Sequence, residues 1–136
     1  MEKLPSVLLV DDDATTNFLN ELLLKRLGVA DHICVVTDGE QALALLTQPA
    51  AFQPTLLLLD VKMPVMDGIE FLRAYQQLPP SQQASTVVVM LTTSMAAADL
   101  SQLQCLPAVD IINKPLNREK VDALLRKHFG RQLAEA

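Results

Sequence analysis

Acidic, hydroxyl and basic side chains follow directly after, or close after, apolar runs of this sequence. They are Asp11, Asp12 and Asp13 after VLLV, Asp60 after LLLL, Thr92 after VVVML, and Lys114 shortly after VDII. A carboxylate seldom ends a buried run without a compensating partner, because burial penalises its charge. Carboxylates that converge on one cleft also repel one another, so a bound cation is the simplest compensation.

The side-chain types in this set indicate which cation and which chemistry to expect. Oxygen ligands without nearby histidine or thiolate favour a hard ion, and a site with few protein ligands suits Mg²⁺, which retains several water ligands. A lysine and a hydroxyl on the same edge suit a phosphoryl group. Phosphoryl transfer needs a nucleophile, alignment and neutralised charge. The sequence therefore predicts Asp60 as a nucleophile that Mg²⁺ and Lys114 compensate.

Alternating apolar and amphipathic segments predict the elements that carry these residues. The predicted strands are residues 6–10, 32–36, 55–59, 87–91 and 109–112, and their composition is typical of strands buried on both faces. Phe18 and several leucines at helical spacing predict a first helix that ends at Gly28. Four more predicted helices follow: one capped by Asp38, one capped by Asp67, one at about residues 95–106, and one from Asn117 to Gly130.

The order of the elements predicts the architecture. Five strands that alternate with helices favour an α/β fold with a parallel sheet and helices on both faces, since crossover connections are right-handed. Such a sheet binds ligands at the carboxyl ends of its strands, where the polar side chains lie. No internal repeat or linker is evident, and we expect residues 1–136 to form one domain without an output domain.

Composition argues against several functional classes. Half of the 136 residues are hydrophobic, but no apolar run approaches the ~20 residues that a membrane span requires. The net charge of −5 opposes attraction to phosphate backbones and anionic lipid, so we expect no direct contact with nucleic acid or membranes. Cys34 and Cys105 lack metal-site spacing and are interpreted as reduced packing residues. The first ten residues lack an export signal, which predicts a cytoplasmic protein.

Four motifs in order give nearly the whole chain a specific resemblance to one family. VLLVDDD, LLLLDVKMPVMDG, MLTTS and INKPL resemble the acidic cluster, phospho-acceptor loop, switch hydroxyl and lysine–proline turn of response-regulator receiver domains. The resemblance implies a flavodoxin-like (βα)5 fold with strand order 2-1-3-4-5. It also implies Asp60 as phospho-acceptor, Thr92 as phosphate-sensing hydroxyl and Lys114 as phosphate-pairing cation. The implied Mg²⁺ ligands are Asp11, Asp12, Asp60 and the backbone carbonyl of Lys62, and Asp12 would lie closer to the ion than Asp11.

The same resemblance implies a function in two-component signalling. A sensor histidine kinase or a histidine phosphotransfer protein would donate a phosphoryl group to Asp60. The only catalysis by this chain would be its own phosphoryl uptake and loss. The phosphorylated form would then act through altered protein–protein interaction. The expected face for the downstream partner comprises the helix predicted at residues 95–106, the fifth strand and the last helix.

Three neighbours of the site have structural interpretations instead. Asp13 and Asp67 are each interpreted as the N-cap of a helix, because each directly precedes a helical pattern. Pro115 is interpreted as the residue of a strained or cis turn that aims Lys114. We therefore leave Asp13 and Asp67 out of the predicted ligand set.

Two residues depart from the family pattern. Ile111 lies three residues before Lys114, where many receiver domains carry an aromatic residue, and Thr93 replaces a smaller residue after Thr92. Thr92 would move toward an arriving phosphoryl group and vacate space behind the fourth strand. A branched aliphatic side chain has few rotamers and little reach, so we expect Ile111 to fill only part of that space.

Two alternative functions compete with this one. Asp11, Asp13 and Thr15 fit the D-x-D-x-T motif of haloacid-dehalogenase-like phosphatases, which would use Asp11 and Asp13. That interpretation leaves Asp60 unexplained, and the chain lacks room for a substrate-selecting cap domain. The other alternative is an adaptor of receiver shape that works without phosphorylation. The complete set of acids, hydroxyl and lysine argues against it.

Overall fold

The fold is given by a computed structural model that describes residues 3–47, 54–61, 63–83, 86–92, 110–131 and 133. Within these residues the strands are Leu4–Val10 (β1), Ala30–Val36 (β2), Leu56–Asp60 (β3), Val87–Thr92 (β4) and Asp110–Asn113 (β5). The helices are Ala14–Leu27 (α1), Gly39–Leu46 (α2), Gly68–Tyr75 (α3), Pro80–Gln83 (α4) and Arg118–Phe129 (α5). The one-turn α4 was not predicted, and the helix predicted at residues 95–106 lies outside the described residues.

The five strands form one parallel sheet in the order β2-β1-β3-β4-β5, which confirms the predicted fold and strand order. Because all five strands run in the same direction, their carboxyl ends lie along one edge of the sheet, which we call the carboxyl edge. Asp60 at the end of β3 is in register with Leu91, and the next residue of β4 is Thr92. The polar side chains at the carboxyl ends of β1, β3 and β4 therefore meet at this edge.

Alternate residues of the central strands pack on opposite faces of the sheet. On β3, Leu56 and Leu58 pack in the core beneath α1 and α5, whereas Leu57 and Leu59 pack in the core beneath α2 and α3. All four leucines are buried, as the apolar run predicts. The prediction of burial on both faces is wrong for β2 and β5, which are partly exposed because they form the two edges of the sheet.

Predicted cap residues begin four of the helices. In each case a side-chain oxygen accepts a hydrogen bond from a backbone N–H group of the first turn, and the residues are Asp13, Asp38, Asp67 and Asn117. Asp67 and Glu70 form a complete capping box at the start of α3. Gly28 and Gly130 end α1 and α5 in the left-handed conformation, with φ of 64° and 62°. These contacts confirm the structural interpretation of Asp13 and Asp67.

Helix α1 buries two asparagines and exposes two of its largest apolar side chains. Asn17 and Asn20 are buried, whereas Phe18 and Leu19 are 62% and 55% exposed. The helical spacing of the apolar residues predicts the helix correctly but not the side that faces the sheet. Asn17 faces inward because its side-chain amide donates a hydrogen bond to the backbone carbonyl of Asp11.

All described helices are short. None of the described helices is long and apolar enough to cross a membrane, and α1, with 14 residues, is the longest of them. Cys34 on β2 is a free cysteine that packs beside the core beneath α2 and α3, in agreement with its interpretation as a packing residue. Cys105 lies outside the described residues.

Candidate functional site

Three carboxylates converge at the carboxyl ends of β1 and β3. Asp11, Asp12 and Asp60, which we call the acid cluster, each place a carboxylate oxygen within 4.8 Å of the others. Asp11 and Asp60 are buried, whereas Asp12 is exposed. Three carboxylate oxygens at this spacing form a donor set that suits a hard divalent cation. The structure thus brings together the three acids that the sequence predicts as metal ligands.

Lys114 reaches the acid cluster from the connection between β5 and α5. Its Nζ lies 2.6 Å from Oδ2 of Asp11 and 3.3 Å from Oδ1 of Asp60. The backbone N–H of Lys114 donates to the carbonyl of Thr92 at 2.8 Å, which holds this connection against β4. The peptide bond between Lys114 and Pro115 is cis, in agreement with the predicted strained or cis turn at Pro115.

Asp11 is held through both its backbone and its side chain. Its N–H donates to the carbonyl of Val36 at 3.2 Å, and its carbonyl accepts from Nδ2 of Asn17 at 2.7 Å. Its carboxylate accepts from the backbone N–H of Asp13 at 2.9 Å and from Nζ of Lys114 at 2.6 Å. Four partners therefore fix the position of Asp11 at the edge of the sheet.

Asp60 lies where the backbone of β3 comes closest to α3. A Cβ atom at Gly68 would overlap the backbone oxygen of Asp60 and would approach Cε of Met90 to 3.0 Å. The N–H of Gly68 also donates to the carbonyl of Val61 at 2.8 Å. Glycine is therefore required at position 68 for close approach of two backbones, and this contact fixes Asp60 relative to α3.

The acid cluster carries more negative charge than Lys114 compensates. Burial raises the pKa of Asp60 above 3.8, and the charges of Asp11 and Asp12 raise it further, although Lys114 opposes them. Burial alone would lower the pKa of Lys114, but the hydrogen bond and charge of Asp11, together with the charge of Asp60, raise it above 10.5. A further cation would relieve the repulsion that remains among the carboxylates.

Asp13 belongs to α1 and not to the acid cluster. Its carboxylate accepts hydrogen bonds from the backbone N–H of Thr15 at 2.9 Å and from Oγ1 of Thr16 at 3.0 Å. The bond from the Thr16 hydroxyl and the bond from Thr15 lower the pKa of Asp13. A haloacid-dehalogenase-like mechanism would need this carboxylate at the reacting centre, so its use as an N-cap counts against that alternative.

Thr92 is the buried last residue of β4 and lies in register with Asn113 of β5. The Lys62 carbonyl predicted as a metal ligand lies outside the described residues, as does Thr93. The described part of the site therefore contains Asp11, Asp12, Asp60, Thr92 and Lys114.

Comparison with protein families agrees with this arrangement. Residues 7–126 match the family model described as response regulator receiver domain. The chain belongs to this family. It is 34% identical over 125 residues to the probable chemotaxis protein CheY of Rhizobium etli, a match that covers 91% of this chain and 92% of that protein. It is 39% identical over 131 residues to the transcriptional regulatory protein CpxR of Escherichia coli, and this match spans only 52% of CpxR.

Solved structures place the fold in the same group. A two-component response regulator from Cytophaga hutchinsonii has a TM-score of 0.83 and 27% identity, with 96% of this chain and 100% of that chain covered. The chemotaxis protein CheY4 of Vibrio cholerae has a TM-score of 0.76 and 28% identity, with 91% and 98% covered. These matches confirm the flavodoxin-like receiver fold of the chain.

A second group of ionisable side chains in this receiver domain joins β5 to α5. Asp110, Lys127 and His128, which we call the Asp110 cluster, meet at Oδ2 of Asp110. Nζ of Lys127 lies 3.1 Å from this oxygen and Nε2 of His128 lies 3.0 Å from it, while Oδ1 accepts from the backbone N–H of Ile111. No contact between these residues was predicted from the sequence.

Two further residues of this receiver domain make contacts with the backbone of the site that the sequence does not predict, although Gly68 is predicted to shape the loop after Asp60. Asn17 holds the backbone of Asp11, and Gly68 admits the backbone of Asp60. The sequence carries only a weak signal for either. Asn17 is a polar residue within the apolar spacing of α1, and Gly68 follows the cap residue Asp67.

Proposed function

We propose that the chain takes up a phosphoryl group on Asp60 in a two-component or phosphorelay pathway and signals through altered protein–protein interaction. The observation that carries this proposal is the acid cluster. Asp60 is buried beside two other carboxylates, and one lysine lies within 3.3 Å of it. Among the described residues, one lysine beside three acids leaves excess negative charge, which a divalent cation and a phosphoryl group bound to it would compensate.

Asp60 would act as the nucleophile through a carboxylate oxygen. That oxygen attacks the phosphorus of a phosphohistidine on the donor protein, an O–P bond forms, and the P–N bond breaks with its electron pair on the departing imidazole. Mg²⁺ held by Asp11, Asp12 and Asp60 would supply neutralising charge to the phosphoryl oxygens. Lys114 would exchange part of its contact with Asp60 for a phosphoryl oxygen, since its Nζ is already within reach.

The donor protein would approach over α1. Phe18 and Leu19 present apolar surface there, and a groove of about 420 Å³ adjoins Lys114 between α1 and the connection from β5 to α5. A histidine kinase or histidine phosphotransfer protein that covers this surface would bring its phosphohistidine near Asp60.

The phosphorylated state would be communicated through Thr92 and β5. The hydroxyl of Thr92 would turn toward the phosphoryl group, and Ile111, which is 39% exposed on β5, would respond only in part. The downstream partner would bind the face of β5, α5 and the helix predicted at residues 95–106. Thr92→Ala should keep phosphoryl uptake but lose most of the amide shift changes on β5 and α5 when beryllofluoride is added.

Intact-mass measurement after incubation with acetyl phosphate tests the proposal. Wild type should gain one phosphoryl mass only when Mg²⁺ is present, and Asp60→Asn should gain none. Asp13→Asn is the matched control, because it removes a neighbouring acid while asparagine retains the N-cap hydrogen bond. We expect its uptake to equal that of wild type. Equal Mg²⁺-dependent uptake by Asp60→Asn and wild type would contradict the assignment of the phospho-acceptor.

A further inference from the structure

Asn17 is a buried residue with one side-chain atom paired and the other unpaired. It is 4% exposed, and its Nδ2 donates to the backbone carbonyl of Asp11 at 2.7 Å. In the described part of the chain its buried Oδ1 has no hydrogen-bond partner. A carbonyl only accepts hydrogen bonds, so the amide must turn its nitrogen toward Asp11 and cannot satisfy the oxygen by flipping. The one described hydrogen bond of the Asn17 side chain is therefore its bond to the backbone of Asp11.

That contact acts on the peptide unit between two residues of the acid cluster. The carbonyl of Asp11 and the N–H of Asp12 belong to one rigid plane, so a hydrogen bond to the carbonyl sets the orientation of the whole unit. The N–H of Asp11 is separately fixed by the carbonyl of Val36. The bond from Asn17 thus sets the direction in which both carboxylates leave the backbone.

We propose that Asn17 is the positioning residue of the acid cluster. Its amide holds the peptide unit between Asp11 and Asp12 so that both side chains face Asp60 at a spacing suited to one divalent cation. The residue does not touch the ion and acts through the backbone of Asp11. This inference rests on the metal site of the proposed function and adds the residue that arranges its ligands.

An NMR titration of the unphosphorylated full chain with Mg²⁺ measures this contribution. Asn17→Leu keeps the branched shape of the side chain but removes the donor, and we expect it to weaken Mg²⁺ binding by about tenfold. Asn20→Leu is the matched control. It removes the other buried asparagine of α1, which makes no hydrogen bond to the acid cluster among the described residues, so its Mg²⁺ affinity should equal that of wild type. Urea midpoints should be similar for the two variants.

The outcomes separate this inference from the proposed function. If wild type shows no saturable response to Mg²⁺, both the metal site and the role of Asn17 are wrong. If wild type and Asn17→Leu bind Mg²⁺ equally, only the role of Asn17 is overturned. Asn17→Asp serves as a second variant of the same shape, in case Asn17→Leu does not fold. Its carboxylate cannot donate to Asp11, so positioning predicts weaker binding, whereas tighter binding would show that charge alone matters.

Discussion

The acid cluster at the ends of β1 and β3 and the Asp110 cluster at the start of β5 combine carboxylates and basic side chains in opposite proportions. The acid cluster has three carboxylates beside Lys114, whereas the Asp110 cluster has one carboxylate beside Lys127 and His128. In the first, burial and neighbouring acids raise the pKa of Asp60. In the second, burial also raises the pKa of Asp110, but hydrogen bonds from His128 and Lys127 outweigh it, and the pKa is lowered.

This difference in charge balance means that the Asp110 cluster stabilises the fold, whereas repulsion within the acid cluster destabilises it. The Lys127 side chain is 63% exposed, and pairs of this kind contribute about 0–1 kcal/mol, so the Asp110 cluster is a modest link between β5 and α5. The Lys114 side chain is 16% exposed and lies between two buried acids. Repulsion inside the acid cluster has no benefit for folding, and the Mg²⁺ site that we propose there would account for it.

The largest expected effect follows from removing Lys114. Lys114→Met should lower the free energy of unfolding by about 3 kcal/mol without Mg²⁺, because it leaves buried carboxylates without a cation. Lys127→Met, the matched change in the Asp110 cluster, should lower it by less than about 0.5 kcal/mol because that side chain is exposed. Urea unfolding followed by circular dichroism measures both. Mg²⁺ should restore part of the loss in Lys114→Met only, and equal losses in the two variants would remove the contrast.

Substitution of a glycine should also destabilise the protein more beside the acid cluster than at the end of α5. Gly68→Ala should lower the free energy of unfolding by about 2 kcal/mol, because the added methyl group overlaps the backbone of Asp60. It should also weaken Mg²⁺ binding. Gly130 at the end of α5 offers a control, since a Cβ atom there meets nothing within 4 Å and asparagine tolerates its φ of 62°. A Gly130→Asn variant as unstable as Gly68→Ala would show that backbone conformation, and not close approach, decides the cost.

Exchanging one aspartate for asparagine should have opposite signs in the two clusters. Without Mg²⁺ at neutral pH, Asp60→Asn should raise the free energy of unfolding by about 1 kcal/mol, because it removes a repelled charge, whereas Asp110→Asn should lower it slightly. The raised pKa of Asp60 means that the folded state holds its proton more tightly. The advantage of Asp60→Asn should therefore shrink as pH falls through the folded-state pKa toward 3.8. Thermal unfolding of both variants with and without Mg²⁺ checks the signs.

The sequence predicts the residues at the acid cluster better than the contacts that arrange them. Asp11, Asp60 and Lys114 lie at or just after the ends of strands, and the parallel direction of the strands brings such residues to one edge. The contact of Asn17 depends on how α1 is rotated, and the contact of Gly68 depends on how closely α3 approaches β3. The spacing of apolar residues along the sequence determines neither. The apolar spacing of α1 correctly predicts a helix, yet the buried face of this helix includes Asn17, whose amide bonds to the backbone of Asp11.

The Asp110 cluster escaped prediction for a different reason. Asp110 and His128 are 18 residues apart, and neither stands at a strand end of the carboxyl edge. Their contact requires α5 to pack back over the start of β5, so it becomes evident only when the register of helix and strand is known. A histidine near the end of a helix has many ordinary explanations, such as favourable interaction with the helix dipole.

The smallest expected effect is the pH dependence of the link made by Asp110. Because its pKa is lowered in the folded state, the carboxylate contributes stability at every pH above its unfolded value of 3.8, and this contribution is lost as pH falls further through the folded-state pKa. The difference in unfolding free energy between wild type and Asp110→Asn should stay below about 1 kcal/mol at neutral pH. It should then close in more acidic solution. The other carboxylates titrate in both proteins, so their contribution cancels in the difference. Urea titrations at a series of pH values measure the difference, and a gap that closes near neutral pH would mean that the Asp110 carboxylate is not its source.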